Sequence, residues 1–270
     1  MGPQRMGQIS HGTLFSLESI NLKSVFMYHG VGRDEQLEGS DHHYAVTAEA
    51  FAKHLDIIGG SKALNVQIAS GVISQHCVTF DDGHISHYAQ AFPILKEKCQ
   101  TGEFYVNTAF VGQTNYVTWE HLREMSDQGM SIQSHGHHHY YLSDLSESEQ
   151  VTELETSKKT IEDKLGQPVT VLAPPGGRYD SVTERVASSL GYARIANSEP
   201  GCWKSMGRFL IPRFPVYQHT SQQTIADDLQ AYSGSTLKAV GKYRVTRGAK
   251  SVLGNQRYEK IRNALVGEPQ

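Results

Sequence analysis

The sequence predicts an α/β protein built on a parallel sheet or barrel, and three observations carry that prediction. From residue 24 onward, short apolar, β-rich runs alternate with longer stretches of helical periodicity, the pattern of repeated βα units. Three of the apolar runs end in polar, turn-forming text: VTFDDG, IQSHGHHH and VLAPPGG. Parallel α/β folds gather their binding and catalytic groups at such strand ends, so the three segments are expected at one rim. The 270 residues are 38% hydrophobic and 9% aromatic, enough for one sizeable core, which excludes a disordered or collagen-like chain.

The strands are expected at residues 24–29, 76–80, 103–106, 130–134, 170–173, 194–196 and 209–214. Thr47 can cap a helix over 48–58, with Phe51, Leu55 and Ile58 on one face. Residues 86–99 place Ala89, Phe92 and Leu95 at helical spacing. Thr118 opens a helix over 118–128, with Trp119, Leu122 and Met125 facing inward. A long helix over 149–165 is ended by Gly166 and Pro168, and another over 181–190 stops at Gly191. Seven strands are one short of the usual eight-stranded closure. Residues 1–20 read as a flexible N-terminal segment, 21–220 as the barrel and 221–270 as a basic helical tail.

Composition narrows the function. Charged residues make up 20% of the chain and the formal net charge is -3, so no nucleic-acid partner is expected. No apolar run approaches the ~18 residues of a membrane span. The three cysteines, Cys77, Cys99 and Cys202, form no CxxC pair and are odd in number, which points to a reducing compartment. The opening MGPQRMGQISHG lacks the apolar centre of a signal peptide. A cytoplasmic location is therefore expected.

Fourteen histidines make their placement informative, because His is the commonest side-chain metal ligand. His135 and His139 are spaced i, i+4. On a helical turn both rings would lie on one face and could share a metal; a polar, His-rich loop is the alternative. His137 and His138 would then point elsewhere. Asp81 and Asp82, at the end of an apolar run, repel each other unless a cation is near. A divalent metal would resolve this, one Asp ligating it and the other acting on its water. An Asx turn or helix cap before Gly83 is the alternative. Two His and one carboxylate form a common open metal site.

The segments VTFDDG, SHGHHHYYL and LAPPGG resemble the first three motifs of the polysaccharide deacetylase (NodB-homology) family, the fourth family of carbohydrate esterases. The resemblance runs from about Ser24 to Arg213 and includes FMYHGV and TWEHLREMSDQGMSIQSHGHHH. It implies a (β/α)7-type distorted barrel and metal-dependent deacetylation of sugars. Carried over, Asp82, His135 and His139 would ligate one divalent ion, zinc first, with Co, Ni, Fe or Mn as alternatives. Asp81 would be the catalytic base. His29 would sit at the rim, and Pro175, Gly176 and Gly177 would line the acetyl pocket, a backbone N–H near Gly176 helping to hold the oxyanion. Two departures stand out. An Arg that orients the catalytic Asp begins the third motif in many members; here that position is Ala173, and Arg213, with Arg178 as second choice, is expected to substitute. The late Leu-x-His motif that supplies a general acid is not evident, and His219 lies out of pattern.

The expected activity is hydrolysis of an acetyl group from an N-acetylated sugar, free or carried on a nucleotide or lipid, in surface polysaccharide biosynthesis. The rivals are an acetyl esterase or other amidase on the same scaffold, and a sugar-binding barrel without turnover. From Lys238 to Arg262 the tail carries Lys238, Lys242, Arg244, Arg247, Lys250, Arg257, Lys260 and Arg262 against the single acid Glu259, with apolar residues interleaved. It is read either as a solvated helix packed on the barrel or as a peripheral contact with the inner membrane surface.

Overall fold

The computed structural model describes residues 22–59, 76–203, 209–230, 233–253 and 257. Six strands run parallel in sequence order: β1 (Lys23–Tyr28), β2 (Cys77–Phe80), β3 (Glu103–Val106), β4 (Ser131–Ser134), β5 (Val171–Leu172) and β6 (Arg194–Ala196). Beyond them lie β7 (Cys202–Trp203), β8 (Leu210–Ile211) and β9 (Phe214–Pro215). Strand β7 pairs antiparallel with β1. β8 extends the sheet from β6, whereas β9 returns to β1. The bent segment from Leu210 to Pro215 thus bridges the two edges and nearly closes the sheet into a barrel. It acts as one stave, so with β1 to β6 there are seven, the (β/α)7-type barrel expected.

Strand periodicity of two sorts the side chains into two cores. One face packs Phe26, Tyr28, Val78, Phe80, Phe104, Val106, Ile132, Leu172 and Ile195 under the helices. There Phe80 and Phe104 stack at 4.5 Å and 6°. The other face fills the lumen with Val25, Cys77, Tyr105, Val171, Ala173, Ala196, Trp203 and Ile211. The same alternation turns Thr79, Glu103, Gln133 and Arg213 inward, so the upper lumen is polar and fully buried.

The helices follow their capping signals. They are α1 (Ala48–Ile58), α2 (Phe92–Glu97), α3 (Trp119–Asp127), α4 (Glu147–Leu165), α5 (Ser181–Ser189), α6 (Gln222–Asp228) and α7 (Gly234–Leu253). Thr47, Thr118, Ser146, Asp180 and Ser221 each accept a hydrogen bond from a first-turn amide. Helix α4 starts two residues before the expected 149 because Ser146 and Glu149 form a capping box. Gly166, at φ 65°, ends it. The expected helix over 86–99 is split: a π-helical stretch, His87–Ala91, leads into α2.

Helix α6 packs on α1, and its Ile225 is completely buried. Helix α7 packs on α6, where Thr236 Oγ1 donates to Asp228 at 3.2 Å. Among the described residues no helix is long and apolar enough to cross a membrane. The expected N-terminal segment 1–20, and the tail residues Tyr258 to Arg262, lie outside the described residues.

Candidate metal centre

Asp81 continues the inward alternation of Cys77 and Thr79 beyond the end of β2, and it points into the lumen. There Arg213 grips it through two parallel bonds, Nη1 to Oδ1 at 2.7 Å and Nη2 to Oδ2 at 2.8 Å. Both side chains are almost wholly buried. Arg213 is itself held on every side. Nε donates to the Asn197 carbonyl at 2.9 Å, Nη1 donates to Thr79 Oγ1 at 3.2 Å, and the guanidinium lies 5.1 Å from the Tyr105 ring centroid. Behind it, Tyr105 donates to Glu103, which also accepts from Ser131 Oγ at 2.9 Å. Burial pushes the Asp81 carboxyl up, but the Arg213 guanidinium more than offsets this and holds it below the usual range. A bidentate pair also fixes the plane of the carboxylate. The expectation that Arg213 replaces the Arg missing at Ala173 matches this geometry. Arg178 instead lies over the Tyr141 ring, 4.1 Å from its centroid.

Asp82 breaks the alternation. Its φ is 79°, a left-handed conformation uncommon outside glycine, and Gly83 follows at 75°. The turn throws the second carboxylate outward to the rim, away from Asp81. There Asp82 Oδ1 lies 3.2 Å from His135 Nε2 and 3.2 Å from His139 Nε2. One donor atom from each residue falls within 4.8 Å of the others.

The two His rings do not meet as expected. Residues 135–140 are not helical. Instead Gly136 at φ 81° and His139 at φ 62° reverse the backbone and bring the rings together. The His-rich loop and the shared site are therefore the same object.

The donor set fits a divalent ion. His135 Nδ1 donates to the Ala173 carbonyl at 2.7 Å, which fixes its tautomer and leaves the Nε2 lone pair facing Asp82. Burial pushes the Asp82 carboxyl up, and the imidazoles of His135 and His139 beside it override this and bring it well below its usual range. A carboxylate kept ionised is the charge state that metal binding requires of it. The loop has its own anchor, Glu153 on α4. Its Oε1 accepts from the backbone amides of His137, at 2.7 Å, and His138, and its Oε2 accepts from His138 Nδ1 at 3.0 Å. His137 Nδ1 meets Thr108 Oγ1 at 2.6 Å. His137 and His138 thus point away from the site, as expected.

A cavity of ≈ 200 Å³ opens in front of this group. His29, Asp81, Asp82 and His139 line one part of it, Phe110 and Tyr116 another. His29 Nδ1 is buried and has no hydrogen-bond partner, and its carbonyl accepts from His87 Nε2 at 2.6 Å. Burial pushes the His87 imidazole down to about 3, so it stays neutral in that role. The turn at Pro175, Gly176 and Gly177 follows the Ala173 carbonyl but is not among the cavity-lining residues. Space beside Gly176 is taken by Tyr141 and beside Gly177 by Ser198. His219 is exposed.

Sequence reading missed Glu153, Glu103 and Asn107, whose Nδ2 donates to the His135 carbonyl at 2.5 Å. A signal existed for the two acids. Glu153 sits on the buried stripe Gln150, Leu154, Ser157 and Ile161 of α4, and Glu103 sits inside an otherwise apolar strand. A charge on a buried face calls for a partner.

Comparison with known proteins agrees with this architecture. Residues 74–195 match the family model described as polysaccharide deacetylase. YxkH of Bacillus subtilis, whose name assigns it provisionally to the polysaccharide deacetylases, is 29% identical over 203 residues, covering 71% of this chain and 70% of that protein. The deacetylase PplD of Streptococcus pyogenes, solved with acetate, has a TM-score of 0.69 at 24% identity, over 77% of this chain and 98% of that one. A polysaccharide deacetylase from Bacillus cereus also reaches 0.69, at 21% identity, over 77% and 69% of the two chains. At those identities the structural likeness carries the fold alone.

Proposed function

We propose, from the premise that the chain belongs to the polysaccharide deacetylase family, that it is a metal-dependent hydrolase releasing acetate from an N-acetylated sugar unit. The observation that carries this reading is the division of labour between adjacent carboxylates: Asp82 with His135 and His139 at the rim, Asp81 clamped by Arg213 beneath. Asp82, His135 and His139 would hold a divalent ion, zinc being the first choice for a His₂Asp set, and it would supply Lewis-acid chemistry to the acetyl carbonyl and the attacking water.

The chain's own residues do the rest. Asp81, ionised and oriented by Arg213, accepts the proton as water attacks the acetyl carbon. His29 lines the same cavity, and it returns a proton to the departing amine. This fills the role for which no late His motif was found. The turn at Pro175, Gly176 and Gly177 lies behind the Ala173 carbonyl that fixes His135, outside the cavity lining. The products are acetate and a free amino sugar. A sugar-binding barrel without turnover has no use for a base clamped by a fully buried Arg, so the clamp favours the enzyme over that rival.

The basic helix supports peripheral contact with an anionic membrane at the inner surface, where a lipid-linked glycan would be met. Residues 234–253 hold Lys238, Lys242, Arg244, Arg247 and Lys250 and no acid. Leu237 and Val245 are 61% and 74% exposed. Arg244 reaches Glu199 at 3.8 Å, and Glu199 also accepts from the Arg213 amide, so this turn of α7 stands near the rim. Each cation near an anionic leaflet contributes about 1 kcal/mol. Salt-sensitive co-sedimentation with anionic liposomes is expected, and its persistence after deletion of 234–270 would remove the role.

The central test is acetate release from N-acetylated sugars by metal-stripped and metal-reconstituted protein. Release that depends on added metal, and that is lost in Asp81→Asn while metal still binds, is expected. Metal-independent release, or one metal per chain in both His135→Ala and His139→Ala at limiting metal, would overturn the assignment.

A further inference from the structure

Directly after the Asp81–Asp82–Gly83 turn the chain reads His84, Ile85, Ser86, His87. Three of these side chains hold three points of one loop, the loop that joins β1 to α1. His87 Nε2 donates to the His29 carbonyl at 2.6 Å, where the loop leaves β1. Ser86 Oγ accepts from Val31 N at 3.2 Å, at the neck. His84 Nε2 donates to the Glu38 carbonyl at 3.0 Å, near the tip. A carbonyl only accepts, so Nε2 carries the proton and Nδ1 is left as an acceptor. It accepts from Ser86 N at 3.2 Å and from Ser86 Oγ at 2.8 Å. Ser86 Oγ thus links the neck of the loop to its tip through one buried imidazole. With both nitrogens engaged inside the protein, His84 has neither a lone pair for a metal nor a proton for a substrate.

The loop has the form of an Ω-loop, with its two ends close together. Gly32 N donates to the Val46 carbonyl at 2.9 Å, and Val46 N donates to the Gly30 carbonyl at 3.0 Å. Leu37 folds back against Gly30 and is buried. Beyond Leu37 the chain emerges at Glu38 and Gly39, both exposed. Gly39, Ser40 and Asp41 then line the cavity that Asp81, Asp82 and His139 also line. His84 lines it too, beside Tyr116, with which it forms an antiparallel bridge. One part of the cavity wall therefore belongs to the barrel, and another to a loop whose tip hangs on His84. From this placement we propose that His84 is a positioning residue: through the Glu38 carbonyl it sets where Gly39 to Asp41 stand relative to the strand end that carries both carboxylates. For the reaction it tunes, the proposal rests on the function proposed above; for the loop it stands by itself. Its effect falls on substrate binding, because the bond reaches the wall and neither carboxylate.

The test compares wild-type protein, His84→Ala and His84→Gln, full length and loaded with zinc. The Gln variant keeps an N–H donor for Glu38. A glutamate-specific protease reads the loop without any turnover. Cleavage after Glu38 needs the peptide group that His84 holds, and cleavage after Glu35, on the same loop, is the internal control. His84→Ala is expected to raise the ratio of Glu38 to Glu35 cleavage about fivefold, the scale of one lost hydrogen bond. It is expected to raise KM for a soluble N-acetylglucosamine oligomer about as much, with kcat within about twofold of wild type. His84→Gln is expected to restore both. Metal affinity, read with a chelating dye, is expected to stay unchanged. Ser86→Ala keeps the imidazole and removes its link to the neck, so it carries the same test if His84→Ala melts early. An unchanged cleavage ratio in His84→Ala and Ser86→Ala, or a fall in kcat at constant KM, would overturn the positioning role. A loss of metal affinity would overturn it too, making His84 a support of Asp82. No acetate release from wild-type protein, with the cleavage ratio shifted as expected, would instead overturn the proposed function and spare the latch.

Discussion

The lumen beneath Asp81 and the rim that carries Asp82 hold comparable polar groups by opposite means. In the lumen, Asp81, Arg213, Thr79, Tyr105 and Glu103 are buried and bonded to one another, and the strand backbone there is regular. At the rim, Asp82, Gly136 and His139 adopt left-handed conformations, and the loop is held from outside by Glu153. At the non-glycine positions Asp82 and His139 such backbone strain costs roughly 1–3 kcal/mol per residue and persists only where surroundings enforce it. The contrast assigns rate and stability to the lumen and metal affinity to the rim. Each region can be broken separately.

The largest effect is expected in the lumen. Asp81→Asn keeps the shape but cannot accept a proton, and turnover should fall by about 10² to 10⁴ with metal content unchanged. Steady-state acetate release beside metal analysis checks both halves, and a loss of metal would show that the two regions are not independent. Arg213→Lys comes next. It removes the fork and leaves a buried carboxylate with one donor in place of two, so turnover should drop together with stability, the latter by ~3 kcal/mol. Equilibrium denaturation measures the second part.

Glu153→Gln sharpens the other side of the comparison. It retains an acceptor for the loop amides but loses the charge, and removing such a support costs about 10- to 100-fold in metal affinity. Competition with a chelating dye reads that loss, and denaturant stability after metal removal should change little.

The smallest effect lies away from both regions. Asp228, at the end of α6, accepts from Thr236 Oγ1 at 3.2 Å, and burial pushes its carboxyl up to about 6. A raised carboxyl binds its proton more tightly folded than unfolded. Its burial therefore costs nothing below about pH 4 and destabilises increasingly as pH rises through 6. Asp228→Asn should raise stability at pH 8 by ~1–2 kcal/mol and leave it unchanged at pH 4, a difference that melting curves at the two pH values resolve.

The residues of this chain by themselves determined the staves, most helix starts and a His pair with a neighbouring carboxylate, while the choice of Asp82 came from the family resemblance. These are local matters: periods of two and of 3.6, capping residues before apolar stripes, a paired carboxylate, and two His four apart. Even there the reason offered for the His pair was wrong. The rings converge because Gly136 and His139 reverse the chain, and positive φ at a non-glycine residue leaves no periodic trace. Tertiary structure alone decided the rest. Arg213 meets Asp81 across 132 residues because the bent segment Leu210 to Pro215 closes the barrel against β1, a register no local pattern encodes. Ala173 serves through its carbonyl, which side-chain identity cannot announce. The placement of Glu153 behind the His-rich loop likewise depends on which elements become neighbours around a closed sheet. Alternation states which way a side chain faces; closure states what it faces.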